Sequence, residues 1–121
     1  MARPRAFDEQ VVIRQAAELF AAQGFNGTSV DDLVKITGLM RGSIYKAFGS
    51  KRNLFLTALV AAAEDFSATT HDLDLISVAL KELAGQDPAV AKICNQVVDK
   101  FDSNFALLLG ENLLRKMKGS D

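Results

Sequence analysis

The stretch from Thr28 to Lys51, TSVDDLVKITGLMRGSIYKAFGSK, constrains the fold most, because two short apolar-patterned segments meet in it at a single glycine, Gly38. The first segment opens with a tandem capping signature, Thr28 three residues before Asp31 and Ser29 three before Asp32. Hydroxyls at such positions accept from the free N–H groups of a first helical turn, and carboxylates sit at its positive end. A helix is therefore predicted from about Ser29. Val30, Leu33 and Val34 follow at the spacing of one buried stripe, and Gly38 supplies a turn that a Cβ would make costly. A further helix is predicted from about Met40, with Ile44 and Phe48 four apart on its buried side. That leaves Arg41, Gly42, Ser43, Tyr45 and Lys46 for the other faces, and no acidic residue lies between Lys35 and Lys51. The pattern is a helix-turn-helix. A slim helix of this composition suits a DNA major groove: Gly42 permits close approach, Ser43 donates or accepts, and Arg41 reaches guanine or phosphate.

With these residues in place the run resembles the DNA-binding domain of the TetR family of bacterial transcriptional regulators. The resemblance rests on Thr28, Leu33, Gly38, Leu39, Gly42, Ser43, Ile44, Tyr45, Phe48, Ser50, Lys51 and Leu54, and the opening Arg3 to Asp8 is similar to one branch of that family. It covers residues 3 to about 58. Two positions depart from the family pattern: Thr37 replaces an alanine, and Met40 replaces a Ser or Thr at the recognition-helix N-cap, where a lost capping oxygen typically costs about 1 kcal/mol. The resemblance implies that Tyr45 and Lys51 clamp the phosphate backbone; from the residues themselves Arg41, Gly42, Ser43 and Lys46 are the expected base-facing set, which depends on a helix rotation that the sequence leaves open. For Thr28 a phosphate contact and a purely capping role are both open.

Composition sets the bounds. At 121 residues with 49% hydrophobic and 24% charged, the chain fits one ordinary domain. No apolar run approaches the roughly 20 residues of a membrane span. With a single cysteine, Cys94, and no leader pattern, the expected address is the cytoplasm and no membrane is involved. Residues 1–58 carry eight basic and five acidic groups, a net +3, whereas residues 59–121 carry six and ten, a net −4. A basic face on nucleic acid with an acidic body behind it accounts for that split, as does a chance imbalance on solvated surfaces. One histidine, His71, and one cysteine give no metal-ligand spacing, and Ser50 and Tyr45 stand where a phosphate loop needs glycines. No catalytic residue, metal or cofactor is expected. Cys94, with no Lys or His three or four residues away, reads as a buried, inert thiol.

Along the chain, Met1 to Ala6 with Arg3 and Arg5 reads as a basic arm. A first helix is predicted over Asp8 to Gln23, carrying Ile13, Ala16, Ala17 and Phe20 on one face, and a fourth over Lys51 to about Ala68. Lys51 and Arg52 in the first turn of that fourth helix oppose its macrodipole, a placement that argues for an anion at this end. A fifth helix starts at Thr70 or Asp72 and ends at Gly85. Asp87-Pro88 restarts the chain as N-cap and N1, and one long helix is predicted from there to about Lys118, with Gly110 as a possible interruption. Its stripe includes Val97, Phe101, Phe105 and Leu108, broad enough that a second copy of the chain is expected to cover it, making these the dimer-interface residues.

The expected architecture is all-α: a three-helix head over residues 1–50 and a shortened helical body over 51–121, about six helices in total. By the resemblance, TetR relatives carry a longer body that encloses a small-molecule effector, and Leu73 to Leu108 looks like a middle piece of one. Helices around that piece look missing by comparison, so a small-molecule effector stays open. Two functions stay open at this stage. One is a sequence-specific regulator of transcription, a repressor acting as a homodimer on palindromic double-stranded DNA. The other is an interaction protein that pairs with a full-length TetR-type regulator and modulates it without binding DNA itself.

Overall fold

Local capping chemistry sets most of the helix starts. A computed structural model describes residues 7–119. Among them lie seven helices: α1 (Glu9–Gln23), α2 (Val30–Thr37), α3 (Arg41–Phe48), α4 (Lys51–Glu64), α5 (Thr70–Glu82), α6 (Pro88–Phe101) and α7 (Asn104–Met117). The fold is all-α. The side chains of Asp8, Ser29, Ser50, Thr69 and Asp87 each accept a backbone N–H at the start of a helix, and Pro88 stands in the first turn of α6. The basic arm proposed for residues 1–6 lies outside the described residues.

Two expectations on helix length need correction. Helix α4 stops at Glu64 instead of Ala68: Ala68 adopts φ 58°, and the Ser67 N–H donates to Asp72 at 3.0 Å, already part of the start of α5. The long helix predicted over Pro88 to Lys118 divides at Asp102, with φ 52°, and runs on unbroken through Gly110. A straight helix of that length would extend roughly 46 Å, far beyond α4 and α5. Breaking at Asp102 lets α7 return along α5.

That return also corrects the expected dimer contact. Val97 and Phe105 are 1% and 4% exposed and belong to the chain's own core. Phe101 is half-buried with its ring 5.6 Å from that of Phe66, and Leu108 packs against the same core. The stripe finds its cover within the chain, because Phe66 between α4 and α5 receives both Phe101 and Phe105.

One continuous hydrophobic core joins the helices of the head to those of the body. Its head end is aromatic, with Phe55 of α4 meeting the rings of Phe20 and Phe25 edge-on at 5.1 and 5.4 Å. Leu33 of α2, Ile44 of α3 and Leu54 of α4 are 1% exposed or less and seat the two short helices on this end. The body end joins Leu73, Ile76, Val90 and Val97, all buried, to the rings of Phe66 and Phe105.

Candidate nucleic-acid interface

Helix α2 is fixed by a reciprocal cap. The Ser29 hydroxyl accepts the Asp32 N–H at 3.0 Å, and the Asp32 carboxylate accepts the Ser29 N–H at 2.9 Å. The second bond, with the Ser29 hydroxyl behind it, holds the Asp32 carboxyl below the usual carboxylate range. Gly38 ends the helix at φ 75°, ψ 4°, and a Cβ there would meet nothing within 4 Å. The glycine is therefore required by backbone conformation and not by space. Thr37 has a role in the same turn: its hydroxyl donates to the Leu33 carbonyl at 2.7 Å and accepts the Leu39 N–H at 3.2 Å.

Helix α3 starts as its sequence implies, with Met40 at the N-cap, no side-chain cap bond and a fully solvated side chain. Ile44 is buried, which turns Arg41, Gly42, Tyr45 and Lys46 to solvent and leaves Ser43 half-buried. A Cβ on Gly42 would meet nothing within 4 Å, so the helix surface there is open to a close partner. The Arg41 guanidinium pairs with the Asp31 carboxylate of α2. Both side chains are more than half exposed, so the pair is worth at most about 1 kcal/mol and gives way readily to another anion.

Thr28 does not join this surface. Its side chain is fully buried, and its hydroxyl donates to the Gly24 carbonyl at 2.6 Å, which leaves the cap to Ser29 and no hydroxyl hydrogen for a phosphate. Lys51 stands at the seam between α3 and α4, half-buried. Its ammonium donates to the carbonyls of Phe25 and Thr28 at 2.9 and 3.0 Å and lies 4.2 Å from the centroid of the Phe25 ring. An ammonium has three N–H donors, so one remains.

The anion expected at the start of α4 is a residue of this chain. Arg52 donates through Nε and Nη2 to the two oxygens of Asp87, each at 2.8 Å, a bidentate pair between α4 and the N-cap of α6. Asp87 is only 14% exposed, and Arg52 holds its carboxyl down at about 2. On the same side of the head, Glu82 accepts the Asn26 N–H at 2.7 Å in the α1–α2 turn. Sequence reasoning missed Glu82, Arg52 and Asp31 as partners. Only the misplaced cations at the start of α4 signalled that some anion was needed.

Among the described residues no group of three His, Cys, Asp or Glu side chains is placed to hold a metal, and no helix is long and apolar enough to cross a membrane. Cys94 is buried, and burial pushes its thiol up to about 11. What the arrangement offers is a short solvated helix carrying Arg41, Gly42, Tyr45 and Lys46, braced from behind by α2 and α4.

Residues 12–58 match the profile described as "Bacterial regulatory proteins, tetR family". Among curated proteins, the chain is 33% identical over 104 residues to an uncharacterized HTH-type transcriptional regulator, YezE of Bacillus subtilis, covering 78% of this chain and 54% of that protein. It is 35% identical over 73 residues to the HTH-type transcriptional repressor ComR of Escherichia coli, covering 60% and 34%. Over 57 residues it is 40% identical to the HTH-type transcriptional repressor BdcR of the same organism, covering 47% and 29%. The chain thus spans about half the length of these relatives or less. No solved structure matches it significantly.

Proposed function

Because the chain belongs to the TetR family of bacterial regulatory proteins, we propose that it binds double-stranded DNA through α2 and α3 and represses transcription from a palindromic operator. The observation that carries this reading is the outward face of α3, which presents Arg41, Gly42, Tyr45 and Lys46 with a solvated amino end and no carboxylate of its own. Relatives named as transcriptional repressors support the direction of control. Such a protein acts in the cytoplasm, where the DNA is. Tyr45 and the remaining N–H of Lys51 grip phosphates, and Arg41, released from Asp31, reads a base with Ser43 and Lys46 beside it.

A homodimer completes the reading, over a different surface from the one the sequence suggested. On α7, Leu107, Leu114 and Met117 are 62%, 55% and 74% exposed, and Gly110 falls between them on the same face at a spacing of three, four and three. Gly in mid-helix is destabilising by roughly 0.5–1 kcal/mol, and a Cβ here would meet nothing within 4 Å. A second copy of α7 crossing at Gly110 accounts for both the glycine and the exposed leucines.

Selection of bound duplexes from a random pool tests the function. Enrichment of a two-fold symmetric sequence, with half-sites about one helical turn apart or a multiple of it, is the expected result. No enrichment, together with no salt-dependent duplex affinity, would replace this reading with that of a protein that pairs with a longer relative.

A further inference from the structure

A cleft of about 620 Å³ opens between α1, α5 and α7. Ala21 and Ala22 of α1, Val78 of α5 and Leu113 of α7 give it an apolar lining. Small-molecule sites span roughly 300–1,000 Å³ and pair such a lining with a few convergent polar groups. Besides Thr70 and His71 at its rim, three polar groups on α1 and α5, Ser77, Glu18 and Lys81, line it without a side-chain partner among the described residues. Ser77 is 5% exposed, yet its hydroxyl makes no hydrogen bond, although a helical serine commonly bonds the carbonyl one turn back. Among the described residues no side-chain oxygen is both sealed from solvent and unsatisfied, so the Ser77 oxygen keeps some exposure, and Ser77 lines the cleft. Glu18 on the α1 wall and Lys81 on the α5 wall have neither an ion pair nor a hydrogen bond, with each other or with any other described residue.

The remaining charges of the cleft are already satisfied. Asp74 accepts from Lys116 at 2.9 Å and from the fully buried Asn112 at 2.7 Å, a network that ties α5 to α7. A ligand therefore meets the free Glu18 carboxylate on the α1 wall and the free Lys81 ammonium on the α5 wall, with the Ser77 hydroxyl one helical turn from Lys81 on α5. A ligand with one charge satisfies one wall and leaves the other unmatched.

We propose that this cleft binds a small zwitterion of about dipeptide size. Its ammonium pairs with Glu18, its carboxylate accepts from Lys81 and from the Ser77 hydroxyl, and its apolar frame lies on Val78 and Leu113. None of these residues lies on α2 or α3, so the site stands or falls independently of DNA binding.

Calorimetry on the full chain tests it with three probes: leucyl-leucine, leucyl-leucinamide, which keeps only the ammonium, and N-acetyl-leucyl-leucine, which keeps only the carboxylate. Leucyl-leucine should bind, and each singly charged analogue should bind about tenfold more weakly, the loss of one charge-assisted contact. Glu18→Gln should abolish the advantage of leucyl-leucine over the acetylated probe, and Lys81→Met its advantage over the amide. Ser77→Ala should weaken the two probes that carry a carboxylate and leave the amide unaffected. Glu18 and Lys81 are exposed, so their variants keep the fold. Absence of leucyl-leucine binding at millimolar concentration would overturn the proposal, as would an affinity that neither Glu18→Gln nor Lys81→Met changes.

Discussion

Replacing Lys51 by methionine separates two roles that one ammonium holds together. In the structure this side chain closes the α1–α2 turn through hydrogen bonds of 2.9 and 3.0 Å to the Phe25 and Thr28 carbonyls, with the Phe25 ring 4.2 Å away. A buried hydrogen bond from a charged donor contributes about 1.5–3 kcal/mol. Lys51 is half-buried and water reaches its neighbours, so about 1 kcal/mol for each bond is the appropriate scale. The ring contact adds about 0.5–1 kcal/mol. The total is about 2.5–3 kcal/mol. At about 4 °C per kcal/mol for a chain of this size, Lys51→Met should lower the melting temperature by about 10–12 °C, read by circular dichroism. The one donor left over supports at most one phosphate contact, so the slope of log K against log salt should become shallower by about 0.9. A melting temperature lowered by less than about 2 °C would refute the turn-closing role, and an unchanged salt slope would refute the phosphate contact. The two results are independent, because stability is measured without DNA.

Tyr45→Phe should weaken binding to operator and random duplex alike, whereas Arg41→Ala should reduce the preference between them by about 1–3 kcal/mol, as competition binding would show. The Arg52 pair holds the Asp87 carboxyl at about 2 when folded against 3.8 for the free group. Its contribution to stability is therefore complete above about pH 5, falls away as the pH drops through 3.8 towards 2, and should be missing from the pH dependence of the urea midpoint in Asp87→Asn. Cys94, buried with its thiol at about 11, should resist a thiol reagent at pH 8 until urea unfolds the chain. Leu114→Asp should convert a dimer to a monomer in light scattering without lowering the helical content; a variant that stays dimeric removes α7 from the interface.

Much of this fold was legible because caps are local. Ser29 with Asp32, Asp87 with Pro88, and Gly38 each fix a boundary through neighbours within a few residues, and the structure places those boundaries where the sequence does. Thr28 shows the limit of the same reasoning. Its spacing to Asp31 mimics a cap as well as that of Ser29 to Asp32, and what decides between them is the burial of Thr28 against the end of α1. The break at Asp102 carries no Gly or Pro signal, because it is selected by where Phe105 lands on Phe66. Partners 26 and 35 residues away, those of Lys51 and Arg52, depend on helix packing that no local pattern encodes.

Those distant partners change what the basic half of the chain has available for DNA. Between α5 and α6, Glu82 and Asp87 stand five residues apart on either side of Gly85. One grips the α1–α2 turn through Asn26, and the other grips the start of α4 through Arg52. One carboxylate of the acidic body is thereby committed to the head and another to the first turn of α4 beside it, and Arg52 is paired before any phosphate arrives. The candidate phosphate contacts around the end of α3 thus reduce to the Tyr45 hydroxyl and one N–H of Lys51. Because both grips come from one short corner, a displacement of that corner moves both seams of the head at once.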